Sequence, residues 1–183
     1  MERCVMPELQ VRSWSAEPLI AATEKQRGGS NVECKPPLDI REWVGPWLLA
    51  SWIEEEADRL GRIESSVADF LGGPSDNNPG RLLRLLTFAY ASREFESDEI
   101  IQKCFSDAAF RGMCDGEPPS AQELRCFRRT HRALLERSLS RILLRAVRQR
   151  FGLDAAMPQP ELEADMLDRA NERLNIARHM DQA

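Results

Sequence analysis

The sequence predicts an all-α fold, and three observations support this prediction. Apolar residues recur at helical spacing in several segments, as at Leu49, Ile53, Ala57 and Leu60. Glycine- and proline-containing stretches, which end helices or connect them, separate these segments. No stretch alternates apolar and polar residues with enough β-branched side chains to predict a sheet. We therefore expect a compact multi-helix domain.

Composition limits the classes of function. The chain has 183 residues, of which 42% are hydrophobic and 30% charged, and this suits one domain with tails. It has no apolar run of about 18 residues and no signal-peptide pattern, so we expect a cytoplasmic protein without a membrane partner. Its five cysteines form no C-x-x-C pair, and with only two histidines there is no zinc-ligand spacing. We expect no metal and no cofactor, and we expect Cys104 and Cys114 to be buried thiols.

The first 80 residues are predicted to contain an irregular N-terminal segment, two helices and a loop. Residues 1–37 lack a sustained period, which favours an irregular or disordered segment. The helix that carries the apolar stripe named above should expose its acidic run at 54–58 to solvent. A short helix at 65–71 and a surface loop or hinge at 72–80 should follow.

The next 70 residues are predicted to contain three helices. Residues 82–90 are strongly apolar and should form a core helix. A second packed helix should run from Ser97 to about Cys114, and a third should start at Ser120. This order of elements resembles a helix-turn-helix, although the connection at 114–120 is longer than the usual turn of about three to four residues.

Positive charge is concentrated between residues 118 and 150. This segment contains nine arginines and two glutamates, a net charge of +7, whereas the whole chain has a net charge of −5. Ser120 and Glu123 have the spacing of a capping box, which predicts a helix start. We expect one long basic helix, and a positive charge localised in this way suggests a polyanionic partner.

On one straight helix these arginines would form two groups on different faces. We predict that DNA is bound by the group near the N-terminal end, the end by which recognition helices read DNA; it comprises Arg125, Arg128, Arg129 and Arg132. The other group would contact a second backbone segment, pair with the acidic helices or stay solvated; it comprises Arg141, Arg145 and Arg148. A third face is apolar and should pack in the core; it comprises Leu124, Phe127, His131, Leu134, Leu135 and Ile142.

Residues 153–183 are expected to form a linker and a C-terminal amphipathic helix. Gly152 can close the basic helix, and Pro160 suits the first position of the last one. The last helix should dock on the domain or on a second copy of it through its apolar residues Leu162, Met166, Ala170, Leu174 and Ala177. Asp165 and Asp168 on this helix are more typical of a solvated surface than of a metal site.

Five short motifs follow one another in the middle of the chain. In order they are Leu-Leu-Arg-Leu-Leu-Thr-Phe-Ala-Tyr-Ala at 82–91, the segment 100–104, Asp-Ala-Ala-Phe-Arg at 107–111, Pro-Pro-Ser at 118–120 and Phe-Arg-Arg-Thr-His at 127–131. This order resembles the N-terminal domain of InsH-type insertion-sequence transposases. Residues 38–80 are compatible with the opening helices of that domain, so the resemblance covers residues 38–152.

The resemblance implies a helical domain that binds transposon-end DNA, which in this family precedes an RNase H-like DDE domain. Gly112 stands where a large aromatic residue is expected, and Ala121 and Gln122 replace hydroxyl-bearing residues, so we expect weakened DNA affinity. The chain reaches Ala183 without a β-rich segment to carry the catalytic Asp, Asp and Glu. We therefore expect no enzymatic activity and no metal-dependent strand transfer.

Two functions are compatible with the sequence. The first is a transposase-like DNA-binding protein without catalytic activity, an orphan or truncated insertion-element protein or a regulator of transposition, with double-stranded DNA at transposon ends as its partner. The second is a protein–protein module that does not bind DNA. Its acidic, Trp-rich helix and its C-terminal helix would bind a second copy or a full-length transposase. The two functions differ in salt dependence, because contacts between arginine and phosphate weaken steeply as ionic strength rises.

Overall fold

The computed structural model describes residues 35–63, 79–155 and 157–181, and these residues contain eight helices and no strand. The prediction of an all-α fold is confirmed. Residues 1–34 of the predicted irregular segment 1–37, the predicted short helix at 65–71 and residues 72–78 of the predicted loop 72–80 lie outside the described residues. Pro79 and Gly80, at the end of that predicted loop, instead begin a helix. The helices, in chain order, are α1 (Arg41–Val44), α2 (Pro46–Ile63), α3 (Pro79–Ala91), α4 (Ser97–Ser106), α5 (Ala108–Met113), α6 (Ala121–Thr130), α7 (Arg132–Phe151) and α8 (Pro160–Met180).

Helix α3 is the centre of the core. It contacts α2, α5, α6, α7 and α8, and nearly all of its side chains are buried, as its apolar sequence predicts. Phe88 packs edge to face against Phe110 of α5, with the ring centroids 5.0 Å apart. The buried hydroxyl of Thr87 donates a hydrogen bond of 3.2 Å to the Ser138 hydroxyl on α7. These contacts fix α5 and α7 on two sides of the same helix.

Helix α2 has the two faces that its sequence predicts. Leu49, Ile53 and Leu60 are buried, and the acidic side is exposed except for Glu56. Glu56 lies at the boundary of the buried region, where Arg59 Nε donates a hydrogen bond of 2.7 Å to its carboxylate. The guanidinium of Arg59 offsets the free-energy cost of burying this carboxylate, because it supplies an opposite charge and hydrogen bonds.

The predicted helix from Ser97 to about Cys114 is two helices, so the expectation of one continuous element was wrong. Asp107 has an extended backbone, with φ −115° and ψ 127°, which separates α4 from α5. Its carboxylate accepts a hydrogen bond of 2.8 Å from the backbone N–H of Ala109 and so caps the new helix. Cys104 and Cys114 are both buried, as predicted.

The predicted long basic helix is also two helices. Its start is confirmed, because Ser120 and Glu123 form the capping box, with the Ser120 N–H donating to the Glu123 carboxylate over 2.7 Å. The helix is interrupted at His131, where φ is −117° and ψ is 32°. At the interruption the chain gains new packing neighbours, since α6 lies against α3 and α4 whereas α7 lies against α8, α3 and α2.

The last helix docks on its own domain. Gly152 ends α7 in the left-handed conformation that favours glycine, with φ 63°, and Pro160 starts α8, both as predicted. Most of the predicted apolar stripe of α8 is fully buried, namely Met166, Ala170, Leu174 and Ala177. This face is therefore already covered by α7 and α3. Of the helices in the described residues, none combines the length and the apolar character needed to cross a bilayer.

His131, at the break between α6 and α7, gives a testable pH dependence. Burial lowers the pKa of its imidazole below the ordinary value of 6.5. The unfolded chain therefore takes up a proton at a higher pH than the folded chain, so stability is lost as pH falls below about 6.5. We expect His131→Gln to flatten the dependence of the unfolding free energy on pH between about pH 7 and 5, as measured by urea titration. His179→Gln, a change at an exposed histidine, should retain the wild-type slope; equal slopes for all three proteins would contradict the prediction.

Candidate nucleic-acid interface

The four arginines predicted to bind DNA do not share one surface. Arg125, Arg128 and Arg129 lie on α6, and Arg132 is the first residue of α7. Arg128 points into the fold, whereas Arg125 and Arg129 are exposed and Arg132 is partly exposed.

Arg128 is a buried structural residue. Only 5% of it is exposed, and its Nη1 donates to the Asp181 carboxylate and, over 3.0 Å, to the carbonyl oxygen of Ala177. Its guanidinium lies over the Tyr90 ring, 5.4 Å from the centroid. Asp181 also accepts a hydrogen bond of 2.9 Å from the Ser97 hydroxyl. Arg128 therefore ties α6 to the end of α8, and in this conformation it is not accessible to a phosphate group.

Arg132 keeps an uncompensated charge near the surface. Its Nη2 donates hydrogen bonds of 3.1 and 3.0 Å to the side-chain oxygens of Asn171 and Asn175 on α8. These partners are neutral amides, and within the described residues no carboxylate forms an ion pair with Arg132. The two asparagines fix the side chain without neutralising it.

Arg125 and Arg129 are the most accessible of the four. Arg125 is within 3.9 Å of the Asp98 carboxylate and 3.7 Å of the Asp181 carboxylate, both of them loose contacts at a half-exposed side chain. Such exposed pairs contribute little and are readily exchanged for another anion. The guanidinium of Arg129 makes neither a hydrogen bond nor an ion pair with any residue in the described ranges.

The exposed side of α6 also carries residues that the sequence analysis did not select. This surface, here called the α6 face, comprises Gln122, Arg125, Cys126, Arg129 and Thr130. These positions recur at helical spacing. The periodicity of the sequence would have identified them as one face if Arg128 had been assigned to the buried side. Glutamine, arginine and threonine are residue types that can donate to base edges or to phosphate oxygens. The capped N-terminus at Ser120 fixes where this face begins.

A cleft of about 450 Å³ runs beside the α6 face. Cys126 and Thr130 form one side of it, and Leu82 of α3 and Phe127 form the inner wall. Glu123 lines the same cleft, and its bonds to Ser120 lower the pKa of its carboxyl group. The carboxylate is held at the helix start and is directed into the capping box.

The second group of arginines pairs with acidic residues, which is one of the three outcomes that the sequence left open. Arg145 Nη1 lies 2.6 Å from the Glu55 carboxylate and its guanidinium stacks over Trp52, 4.5 Å from the ring centroid. The remaining two pairs are Arg141 with Glu56 at 3.7 Å and Arg148 with Glu163 at 3.2 Å. Because α2 lies along α7, its acidic side neutralises this part of the basic segment.

The described residues contain no candidate metal centre. Within them, no group of three or more His, Cys, Asp and Glu side chains is placed to hold a metal ion. Asp165 is paired with Arg169 at 3.0 Å, and Asp168 is exposed to solvent. Of the four arginines predicted to bind DNA, those that stay accessible lie on the α6 face and at Arg132.

No protein-family model, no curated protein and no solved structure matches this chain. The resemblance to the InsH-type N-terminal domain therefore rests on the motifs quoted above.

Proposed function

We propose that this chain is a transposase-like DNA-binding module without catalytic activity, and that it contacts duplex DNA through the α6 face. The observation that carries the proposal is the pair of exposed arginines on this face, Arg125 and Arg129, neither of which makes a close ion pair within the described residues. Arg132 adds a third charge at the junction with α7. The motif order over residues 38–152 agrees with this role, because the resembling family uses its N-terminal helical domain to bind transposon ends.

Part of the rest of the basic segment is paired with acidic residues. The chain is acidic overall, and the arginines of α7 named above are neutralised by glutamates of α2 and α8. The exposed side of α6 presents Gln122 and Arg125 near its capped start and Arg129 in its last turn, and these are residue types that recognition helices use. The double-stranded DNA of an insertion element is the partner that fits best.

A double substitution tests the proposal. We expect Arg125→Ala combined with Arg129→Ala to weaken binding of a labelled duplex of about 20 base pairs by at least about tenfold, because each arginine supplies a phosphate or base contact. The measurement is fluorescence anisotropy across a salt series. The slope of log affinity against log salt should become shallower by about two, since each lost phosphate contact removes about 0.9.

The matched control is Arg141→Ala combined with Arg150→Ala. This pair removes the same charge from exposed positions of α7, so it should change affinity by less than about threefold. Equal losses in the two double variants would show attraction by net charge alone and would contradict a specific α6 interface.

The same experiment distinguishes the DNA-binding module from the second candidate function, a helical interaction module that does not bind DNA. One observation favours it: Trp47 is 67% exposed on the first turn of α2, beside the exposed Leu48. A large exposed aromatic residue is a common anchor of protein interfaces. Absence of duplex binding at low salt, together with self-association that persists at high salt, would favour this candidate over DNA binding.

A further inference from the structure

Helix α8 carries a buried arginine that forms no direct ion pair with any of the described residues. Arg173 is only 3% exposed; its Nη1 donates over 2.7 Å to the carbonyl oxygen of Tyr90, and its Nη2 donates over 2.6 Å to that of Pro37. In contrast to Arg128, it has no carboxylate within ion-pair distance among the described residues. Burial lowers the pKa of this guanidinium to about 10.

The two carbonyl groups account for only part of what Arg173 can bind. The Tyr90 carbonyl lies in the last turn of α3, so Arg173 caps that helix end and interacts with its partial negative charge. A helix end supplies about half a unit charge, and a guanidinium has five N–H donors. Donors and positive charge are therefore left over at a buried position, where an unpaired charge is costly.

A cleft of about 450 Å³ opens at this arginine. Pro37, Leu38 and Ile176 provide apolar wall, and Lys35 and Arg169 add two further cations. Arg169 is held by Asp165 at 3.0 Å, and the nearby Glu172 offsets part of the charge of Arg173. Lys35 and Arg173 together still leave the cleft with a net positive charge. A cleft of this volume, with mostly apolar walls and a few convergent charged groups, has the features of a small-molecule site.

We propose that this cleft binds a small organic acid, whose carboxylate lies between Arg173 and Lys35 and whose apolar body packs on Leu38 and Ile176. The planar guanidinium matches a carboxylate in shape and can donate two parallel hydrogen bonds to it. The apolar walls favour a carbon skeleton over a free inorganic anion. The site is independent of the α6 face.

The test is a titration of the full chain with benzoate, with neutral benzamide as its matched control and with inorganic phosphate as a third ligand. Two-dimensional ¹⁵N NMR follows the backbone amide of Leu38 and the side-chain Nε–H of Arg173. We expect saturable shifts with benzoate at a dissociation constant of about 1 mM, as is usual for a ligand of this size, and at least tenfold weaker binding of benzamide and phosphate. Equal binding of benzamide, or no saturation with benzoate, would overturn the proposal.

Variants locate the binding. Leu38→Glu changes an exposed side chain and places a negative charge in the cleft, so it should weaken benzoate binding by at least about tenfold while the fold is retained. Lys35→Gln should weaken it several-fold, whereas Arg178→Gln, an exposed arginine outside the cleft lining, should leave it unchanged. Undiminished binding by Leu38→Glu would place the ligand elsewhere and would contradict the assignment of this cleft.

Discussion

Replacing Phe110 with alanine is expected to lower the free energy of unfolding by about 3–5 kcal/mol. The side chain is fully buried between α3 and α5, and its ring meets that of Phe88 at an interplanar angle of 86° with the centroids 5.0 Å apart. The substitution would leave a cavity in the centre of the core and would remove an edge-to-face pair, itself worth about 0.5–1.5 kcal/mol. Urea denaturation followed by circular dichroism gives the difference directly.

Phe105→Ala is the control for this change. The same residue type stands five positions earlier, at the end of α4, where it is 64% exposed. We expect its substitution to change stability by no more than about 0.5 kcal/mol. Comparable losses in the two variants would contradict the assignment of Phe110 to the core and of Phe105 to the surface.

The residues that carry the family resemblance are mainly architectural. Phe110 of the Asp-Ala-Ala-Phe-Arg motif and Phe127 of the Phe-Arg-Arg-Thr-His motif are buried. Arg128, also in the Phe-Arg-Arg-Thr-His motif, is held inside the fold. These buried residues specify how α5 and α6 pack, whereas Arg129 and Thr130 of the same motif are exposed and can reach a ligand. A resemblance carried by packing residues predicts a fold more directly than it predicts a binding surface.

Helices and their apolar faces were predictable because the signal is local. The buried stripes of α2 and α8, the capping box at Ser120 and the glycine stop at Gly152 each depend on residues within a few positions of one another. The breaks at Asp107 and His131 were not predicted. At both positions the chain leaves a helix to change its packing partner, and that choice depends on helices distant in sequence.

The candidate site was predictable only in part, because contacts between residues distant in the sequence decide which arginines are accessible. On one straight helix, Arg128 falls on the same face as Arg125 and Arg132, so periodicity alone gives no cause to separate them. What separates them is Asp181, 53 residues later, which the docking of α8 brings to Arg128. The neutralisation of the second arginine group likewise depends on α2 lying along α7.

Arg128→Met is expected to destabilise the protein by about 3–5 kcal/mol, because it leaves the largely buried Asp181 carboxylate with only the looser contact to Arg125 at 3.7 Å. Arg129→Met, one position away on the exposed side, should cost no more than about 0.5 kcal/mol. Adding Asp181→Leu to Arg128→Met should recover part of the loss, since the charge left unpaired is then removed as well. Thermal and urea unfolding of the parent and of these three variants measure the differences in unfolding free energy.

For duplex binding, we expect Arg128→Met and Arg129→Met to rank in the opposite order from their effects on stability. Arg129→Met is expected to weaken it, whereas Arg128→Met, assayed at a temperature where the variant is still folded, should retain nearly the parental affinity because the side chain does not reach solvent. A stable Arg128→Met protein that has lost duplex binding would instead return Arg128 to the DNA interface and would require α8 to move away from α6. The adjacent arginines thus separate the contribution of this motif to the fold from its contribution to recognition.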